Sequence, residues 1–275
     1  MPGFAIRVRS LQNNQRLERQ SRVTEESFFN ILLWCGVAIA VFVFVSLFFV
    51  VAPYGRHVRA GWGPTIDSRL GWLIMESPSV FLFAYWAITG THGLADAALV
   101  LFLMWEAHYV HRTFIWPLQL SGTRRRMPIF IVGSAIGFNL FNSYINGRYL
   151  GSFSGGYAWS WLADPRFIVG ALVFFAGAFI NMHADAVLFR LRRDHPGEYR
   201  VPMGGLYRWI SCPNYLGEIV EWIGWAIATW SLPGAVFAVW TFANLAPRAG
   251  SNHRWNLENI EGYPTDRKAL VPYLW

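Results

Sequence analysis

The sequence predicts an all-α integral membrane protein, a bundle of about seven transmembrane helices, and three observations carry that expectation. Charged residues make up 14% of the 275-residue chain and hydrophobic residues 54%, whereas soluble domains carry roughly 25% charged residues. Residues 27–55 hold no charge at all, a run long enough to cross a bilayer and too long for a signal-peptide core. Asn214, Glu218 and Glu221 fall at i, i+4 and i+7 in the otherwise apolar run 214–230, so a helix aligns them on one stripe. A charge at the bilayer centre costs roughly 2.5–3.5 kcal/mol on insertion scales. Such a stripe therefore implies a polar site inside the bundle.

Taken in chain order, residues 1–26 are polar and Arg-rich, a surface or disordered arm. Residues 27–275 then form a single membrane domain. Its expected spans are 27–55, 72–89, 92–110, 128–146, 167–188, 211–231 and 233–248. Thr89-Gly90-Thr91 separates the second span from the third, and Ser231-Leu232-Pro233-Gly234 splits the last apolar run in two. Alternating strand patterns are not evident, which argues against a β-barrel. No internal repeat is visible, which argues against a repeat-built transporter. The segment 189–210 combines Pro196-Gly197, Pro202 and Gly204-Gly205 with five Arg. It reads equally as a lid or as a plain cytoplasmic loop.

The net charge is +7, and 22 of the 23 basic residues are Arg. They fall between apolar spans, a pattern of membrane topology rather than nucleic-acid binding. With seven spans, sixteen basic residues lie on one side and seven on the other. The positive-inside rule then places the C-terminus in the cytoplasm and the N-terminus outside. Cys35 lies mid-span and Cys212 is the only other cysteine, so neither a disulfide framework nor a Cys-x-x-Cys zinc site is implied. Neither a Gly-x-Gly-x-x-Gly nor a P-loop motif occurs, so any nucleotide is held by side chains within the bundle.

Four polar groupings carry candidate chemistry. The Asn214, Glu218, Glu221 stripe serves either as helix–helix glue or as part of a ligand site, and the two carboxylates favour the latter, with Glu221 the one that braces the helix. Asn181, Asp185 and Arg192 share a face at i, i+4 and i+11. They form a structural ion pair or the wall of a polar cavity, expected to stand opposite the first stripe. Glu76 precedes Pro78 within a span. A carboxyl kept protonated there donates a hydrogen bond to a carbonyl, although a lone membrane Glu also suits a proton path. In His108-Tyr109-Val110-His111-Arg112, both His108 and Tyr109 share a face with Arg112, and Tyr109 is a candidate proton donor. The seven His are mostly isolated and do not supply the boxes of a metal centre.

These residues lie in motifs that resemble the steroid 5α-reductase (3-oxo-5α-steroid 4-dehydrogenase) family over most of residues 72–275. The motifs are Asn214-Tyr215-Leu216-Gly217-Glu218-Ile219-Val220-Glu221-Trp222-Ile223-Gly224 with Ala228-Thr229-Trp230-Ser231-Leu232-Pro233, and Tyr263-Pro264-Thr265-Asp266-Arg267-Lys268-Ala269-Leu270-Val271-Pro272. His108-Tyr109-Val110-His111-Arg112-Thr113-Phe114 and Pro196-Gly197-Glu198-Tyr199-Arg200-Val201-Pro202 belong with them.

The resemblance implies an NADPH-dependent reductase of the 4,5 double bond of a 3-oxo-4-ene steroid or similar hydrophobic enone. Glu76 and Tyr109 would meet the enone carbonyl. The cofactor would lie along Asn181, Asp185, Arg192, Tyr199, Arg200, Asn214 and Glu218, with Arg112, Arg248 and His253 nearby, so that its site comes mainly from residues 108–275. The chain departs from the family at Met75, where Gln is common before the Glu, and at Asn252 and Asn256, where His and Tyr are usual. The implied partners are a steroid-like enone and membrane lipid, with no nucleic acid and no metal; a monomer is compatible with this. The Arg-rich, Lys-poor composition suggests a bacterial chain, hence an inner membrane with the cofactor site facing the cytoplasm. Two alternatives stay open: a membrane methyltransferase of the isoprenylcysteine or phospholipid type using S-adenosylmethionine, and a non-enzymatic lipid or proton transporter.

Overall fold

The computed structural model describes residues 2–120 and 126–275, with side chains from residue 23 onward. Arg124 and Arg125 of the expected third loop, and the side chains of the five arm arginines, lie outside the described residues.

Seven long helices occur among the described residues: α1 (Pro2–Phe49), α2 (Ser68–Ile88), α3 (Ala97–Val110), α4 (Ile129–Arg148), α5 (Pro165–Asp194), α6 (Pro213–Thr229) and α7 (Leu232–Asn259). Each overlaps one expected apolar segment. Four stretches, Val23–Phe49, Ser68–Ile88, Ile129–Phe153 and Pro165–Asp194, are long and apolar enough to cross a bilayer. The other three differ from simple spans. At 14 and 17 residues, α3 and α6 rise about 21 and 26 Å, less than a hydrocarbon core about 30 Å thick. The last helix is long, but its second half is polar. Trp34, Phe42, Leu172 and Phe179 stand exposed on α1 and α5, an outward apolar surface suited to lipid.

Two helices run further than expected. Residues 2–26, expected as an arm, are helical and continuous with the rest of α1. No Gly or Pro interrupts the chain between Gly3 and Gly36, so nothing stops a helix there. Glu25 then pairs with Arg148, Oε1 to Nε at 2.6 Å, which fastens α1 to α4. Beyond the expected end at 248, α7 continues to Asn259. Its final turns lose the apolar signal but keep helical backbone past Pro247.

Helix starts follow capping rules. The Asp67 carboxylate accepts from Arg69 N and Leu70 N at the head of α2. Asp164 caps α5 before Pro165, and its hydrogen bonds from Arg166 hold the carboxyl at about 2. Ser231 accepts from Gly234 N at the head of α7, after Trp230 has ended α6 in the left-handed region at φ 45°. A short antiparallel pair, β1 (Thr65–Asp67) and β2 (Arg126–Pro128), puts Ile66 opposite Met127. Three residues are too few to give an alternating sequence signal.

The tightest packing joins α5 to α6. Gly170 and Gly177 on α5 face Ala228 and Glu221, while Gly217 and Gly224 on α6 face Asn181 and Phe174. A Cβ at any of the four would strike the neighbouring backbone, so the helices meet main chain to main chain. Behind them lies an aromatic core. Phe83 stacks on Trp105 with centroids 4.2 Å apart, and Trp222 and Trp225 each stand 5.3 Å from Trp105. Two of the indole N–H groups find partners: Trp105 donates to Ser79 O at 2.8 Å and Trp225 to Asn146 Oδ1 at 3.0 Å.

Candidate active site

All seven helices contribute to one cavity of about 850 Å³, within the range that small-molecule and cofactor sites occupy. Leu32, Ile39 and Val43 of α1, Phe138 and Phe141 of α4, and Phe237 and Trp240 of α7 give it an apolar wall. The polar wall comes from α3, α5, α6 and the second half of α7.

The centre of the polar wall is Arg112, held in a short π-helical turn, His111–Ile115, that follows α3. Its Nη1 lies 3.7 Å from Asp185 Oδ2 and its Nη2 3.7 Å from Glu218 Oε2. The guanidinium is flanked by the rings of Trp72 and Trp116, each 4.6 Å away. Trp116 Nε1 donates to Asp185 Oδ2 at 2.5 Å, and Asn214 Nδ2 donates to Asp185 Oδ1 at 3.0 Å. The two polar stripes therefore do not face each other across the cavity. They are neighbours on one wall, because the glycine seam brings α5 and α6 into backbone contact and leaves no space between them.

The sequence-predicted residues divide accordingly. Glu76, Tyr109, Arg112, Asp185, Arg192, Tyr199, Arg200, Asn214, Glu218 and Arg248 line the cavity together. Asn181 and His253 do not. Asn181 Nδ2 donates to Asn214 O at 2.9 Å within the seam, and His253 Nδ1 lies 2.7 Å from Ser211 Oγ behind the wall. Glu221 is 1% exposed and meets His108 Nδ1 at 2.8 Å, which makes it a brace between α6 and α3.

Glu76 reaches the cavity from α2, where Asn139 Nδ2 donates both to Met75 O at 2.6 Å and to Glu76 Oε2 at 3.2 Å. Tyr109 projects from α3 between Trp105 and Trp222, with centroids 4.9 and 5.6 Å away. Asn142 Nδ2 donates to its oxygen at 3.4 Å, and Ser79 stands within reach of the same hydroxyl. Met75 packs with Met127 and Val132, so an apolar side chain occupies the position beside Glu76.

Six lining residues come from the segment after α1, which sequence reasoning passed over, and Tyr54, Arg56 and His57 are the polar ones among them. Arg56 donates to Asn256 Oδ1, and His57 Nε2 lies 2.9 Å from Asn252 Oδ1. Asn252 in turn donates to Tyr215 Oη at 3.2 Å, which also accepts from Arg248 at 2.9 Å. Asn256 Nδ2 donates to Tyr263 Oη at 3.2 Å. Asn252 and Asn256 thus anchor this segment to α7. Burial pushes the Tyr54 hydroxyl up to about 12, against the pull of the Arg248 guanidinium 4.4 Å from its ring. Burial also lowers the His57 imidazole, with Arg56 and Arg248 adding to the effect and the Asn252 hydrogen bond opposing it. The only signal for these residues was their aromatic and cationic character in a polar stretch, which is ordinary for a loop.

The profile of the family described as 3-oxo-5-alpha-steroid 4-dehydrogenase matches residues 125–275. The chain is 40% identical over 256 residues to a steroid 5-alpha-reductase of Gossypium hirsutum, covering 92% of this chain and 99% of that one. It is 38% identical over 262 residues to a steroid 5-alpha-reductase of Arabidopsis thaliana, with the same shares covered. To the human 3-oxo-5-alpha-steroid 4-dehydrogenase 1 it is 36% identical over 255 residues, covering 92% of this chain and 98% of that one. Similarity of this depth over nearly the whole chain establishes that it belongs to the 3-oxo-5-alpha-steroid 4-dehydrogenase family, oxidoreductases acting on CH–CH groups.

Proposed function

We propose that this protein reduces the 4,5 carbon–carbon double bond of a 3-oxo-4-ene steroid, or a similar hydrophobic enone, with NADPH as hydride donor. The observation that carries the proposal is one cavity lined both by the Glu76 carboxyl and the Tyr109 hydroxyl and by several arginines, beside a wall of aromatic and aliphatic side chains. That combination suits a flat apolar substrate with one carbonyl, together with a phosphorylated cofactor.

The residues present fit such a cofactor. Arg112, Arg192, Arg200 and Arg248 supply planar forks of donors for phosphates, including the 2′-phosphate of NADPH. Asp185, Asn214 and Glu218 supply acceptors and an amide for the ribose and carboxamide groups, and Tyr199 adds a ring and a hydroxyl. Asn181 and His253 act one layer behind, by fixing Asn214 and Ser211. A reduced nicotinamide supplies a hydride when bound.

The chain's own work is at the carbonyl. Hydride addition to the β-carbon moves the double-bond electrons onto the carbonyl oxygen as an enolate. Glu76 in its protonated form and Tyr109 donate hydrogen bonds to that oxygen, where the charge develops. Tyr109 then supplies a proton towards the α-carbon. Its ring is held by Trp105 and Trp222, so little orientational freedom is lost at that moment.

In this proposal all seven helices cross or enter the bilayer, with the C-terminus and the cofactor side in the cytoplasm, as the positive-inside rule favours. If the chain is bacterial, that bilayer is the inner membrane. Neither the methyltransferase nor the transporter alternative gains support from the comparisons. The test is NADPH oxidation by the purified, lipid-supplied protein with testosterone or progesterone as probe. The expected result is steroid-dependent loss of NADPH absorbance and a product two mass units heavier. Absence of both turnover and NADPH binding in every lipid would overturn the proposal.

A further inference from the structure

We propose a second binding site, for a phosphate-class anion, in the pocket between the Gly204-Gly205 turn and the C-terminal segment at Arg267. This pocket encloses about 560 Å³ and shares no lining residue with the large cavity.

Its buried wall is Arg267, which is 3% exposed. The Nε and Nη1 donors of Arg267 have no hydrogen-bond partner. Nη2 has one, the Met203 sulfur at 3.2 Å, and a thioether is only a weak acceptor. The remaining support is the face of Tyr263, 5.1 Å from the guanidinium carbon. Among the described residues no carboxylate forms an ion pair with Arg267. A guanidinium taken out of water with two donors unmet and no counter-charge is costly to keep, and an anion in the pocket removes that cost.

The rest of the pocket suits such an occupant. Arg208 adds a second, exposed cation. Gly204 and Gly205, at φ 94° and 51°, present bare backbone. Asp266 also lines the pocket but is solvent-exposed, so two cations face one carboxylate and a positive charge is left over. The frame is fixed by backbone bonds, Lys268 N to Trp209 O at 2.9 Å and Ser211 N to Lys268 O at 2.9 Å. Met203 contacts the guanidinium at Nη2 and is itself 68% exposed, so a shift of this flexible side chain opens that side of the guanidinium to a ligand. Exposed Trp209 beside Arg208 fits the headgroup level of a bilayer as well as water. The shared chemistry is a phosphate oxyanion, supplied either by free phosphate or by a phospholipid headgroup.

The test uses the full-length protein in non-ionic detergent, with radiolabelled inorganic phosphate in one arm and phosphatidylglycerol in mixed micelles in the other. Monoolein serves as the uncharged lipid control, and each arm is run with and without NADPH. At least one probe should bind, with affinity reduced about tenfold or more in Arg267→Gln and several-fold in Arg208→Gln, the scale of lost charge-assisted bonds. Binding of inorganic phosphate assigns the site to a soluble anion, and binding of phosphatidylglycerol alone assigns it to lipid. Binding of neither probe overturns the proposal. So does binding that NADPH abolishes, because the anion then sits in the large cavity. If Arg267→Gln does not fold, Arg267→Lys, which keeps the charge but not the fork, replaces it. Undiminished binding in both the Arg267 variant and Arg208→Gln overturns the proposal.

Discussion

His108 Nδ1 lies 2.8 Å from Glu221 Oε1, and the His108 ring stands 5.0 Å from the ring of Tyr109. This contact joins α3 to α6 next to the proposed proton donor, and the second Glu221 oxygen is buried without a partner. Replacing Glu221 by Ala removes both oxygens and leaves the His108 nitrogen unpaired. The expected loss of stability is about 1–3 kcal/mol, the cost of an unsatisfied buried group. Thermal unfolding in lipid measures it; an unchanged midpoint would contradict a bracing role.

Tyr109→Phe removes the hydroxyl and keeps the ring between Trp105 and Trp222. Turnover should fall by roughly 10²–10⁴-fold, the usual scale of general acid catalysis, while NADPH affinity stays as it was. Steady-state kinetics together with a cofactor titration separate the two effects. Activity near that of the unaltered protein would remove Tyr109 from the mechanism.

Glu218→Ala takes one of the two carboxylates from Arg112 and one acceptor from the cavity. NADPH binding should weaken by about tenfold or more, the value of a hydrogen bond to a charged group. Isothermal titration is the measurement, and unchanged affinity would assign Glu218 to helix packing alone.

Gly217→Val places a side chain against the Asn181 backbone. Overpacking of this kind costs about 1–3 kcal/mol or more. It should also separate Asn214 from Asp185, so stability and cofactor affinity are expected to fall together. A variant that loses one without the other would show that the seam does not set the site.

His57 lies outside the membrane-spanning segments, and its imidazole is lowered below the ordinary 6.5 by burial and by Arg56 and Arg248. A lowered value means that the unfolded chain binds the proton more readily than the folded one. As pH falls below about 6.5, this residue therefore draws the protein towards unfolding, and above that pH it is neutral in both states. In His57→Gln the drop in melting temperature between pH 7.5 and pH 5.5 should be smaller. Parallel profiles for the two proteins would refute this.

Much of the site was legible because charge in an apolar helix is rare enough to notice. Glu76, Arg112, Asp185 and Glu218 stood out on that ground, and all four line the cavity. Tyr54, Arg56 and His57 did not, since polar and aromatic residues between helices are unremarkable until the fold brings them to Asn252 and Asn256. The placement of the two stripes on one wall was hidden for a different reason. Periodicity gives the face of a helix but not its neighbour, and the clue lay in Gly170, Gly177, Gly217 and Gly224 rather than in the charged residues. The extent of α7 was lost because hydropathy fades after Arg248 while helix propensity does not. The continuity of α1 could have been read from the absence of Gly and Pro between Gly3 and Gly36.

The four glycines also make the α5–α6 contact a ruler. Where side chains separate two helices, their distance depends on rotamers and shifts when those repack. Here the spacing is set by main-chain atoms, which have nothing softer between them to yield. A bilayer that thickens, thins or changes its lateral pressure will be felt first by α1, whose outer face is bare of protein. The distance between Asp185 and Asn214 will be among the last in the molecule to change.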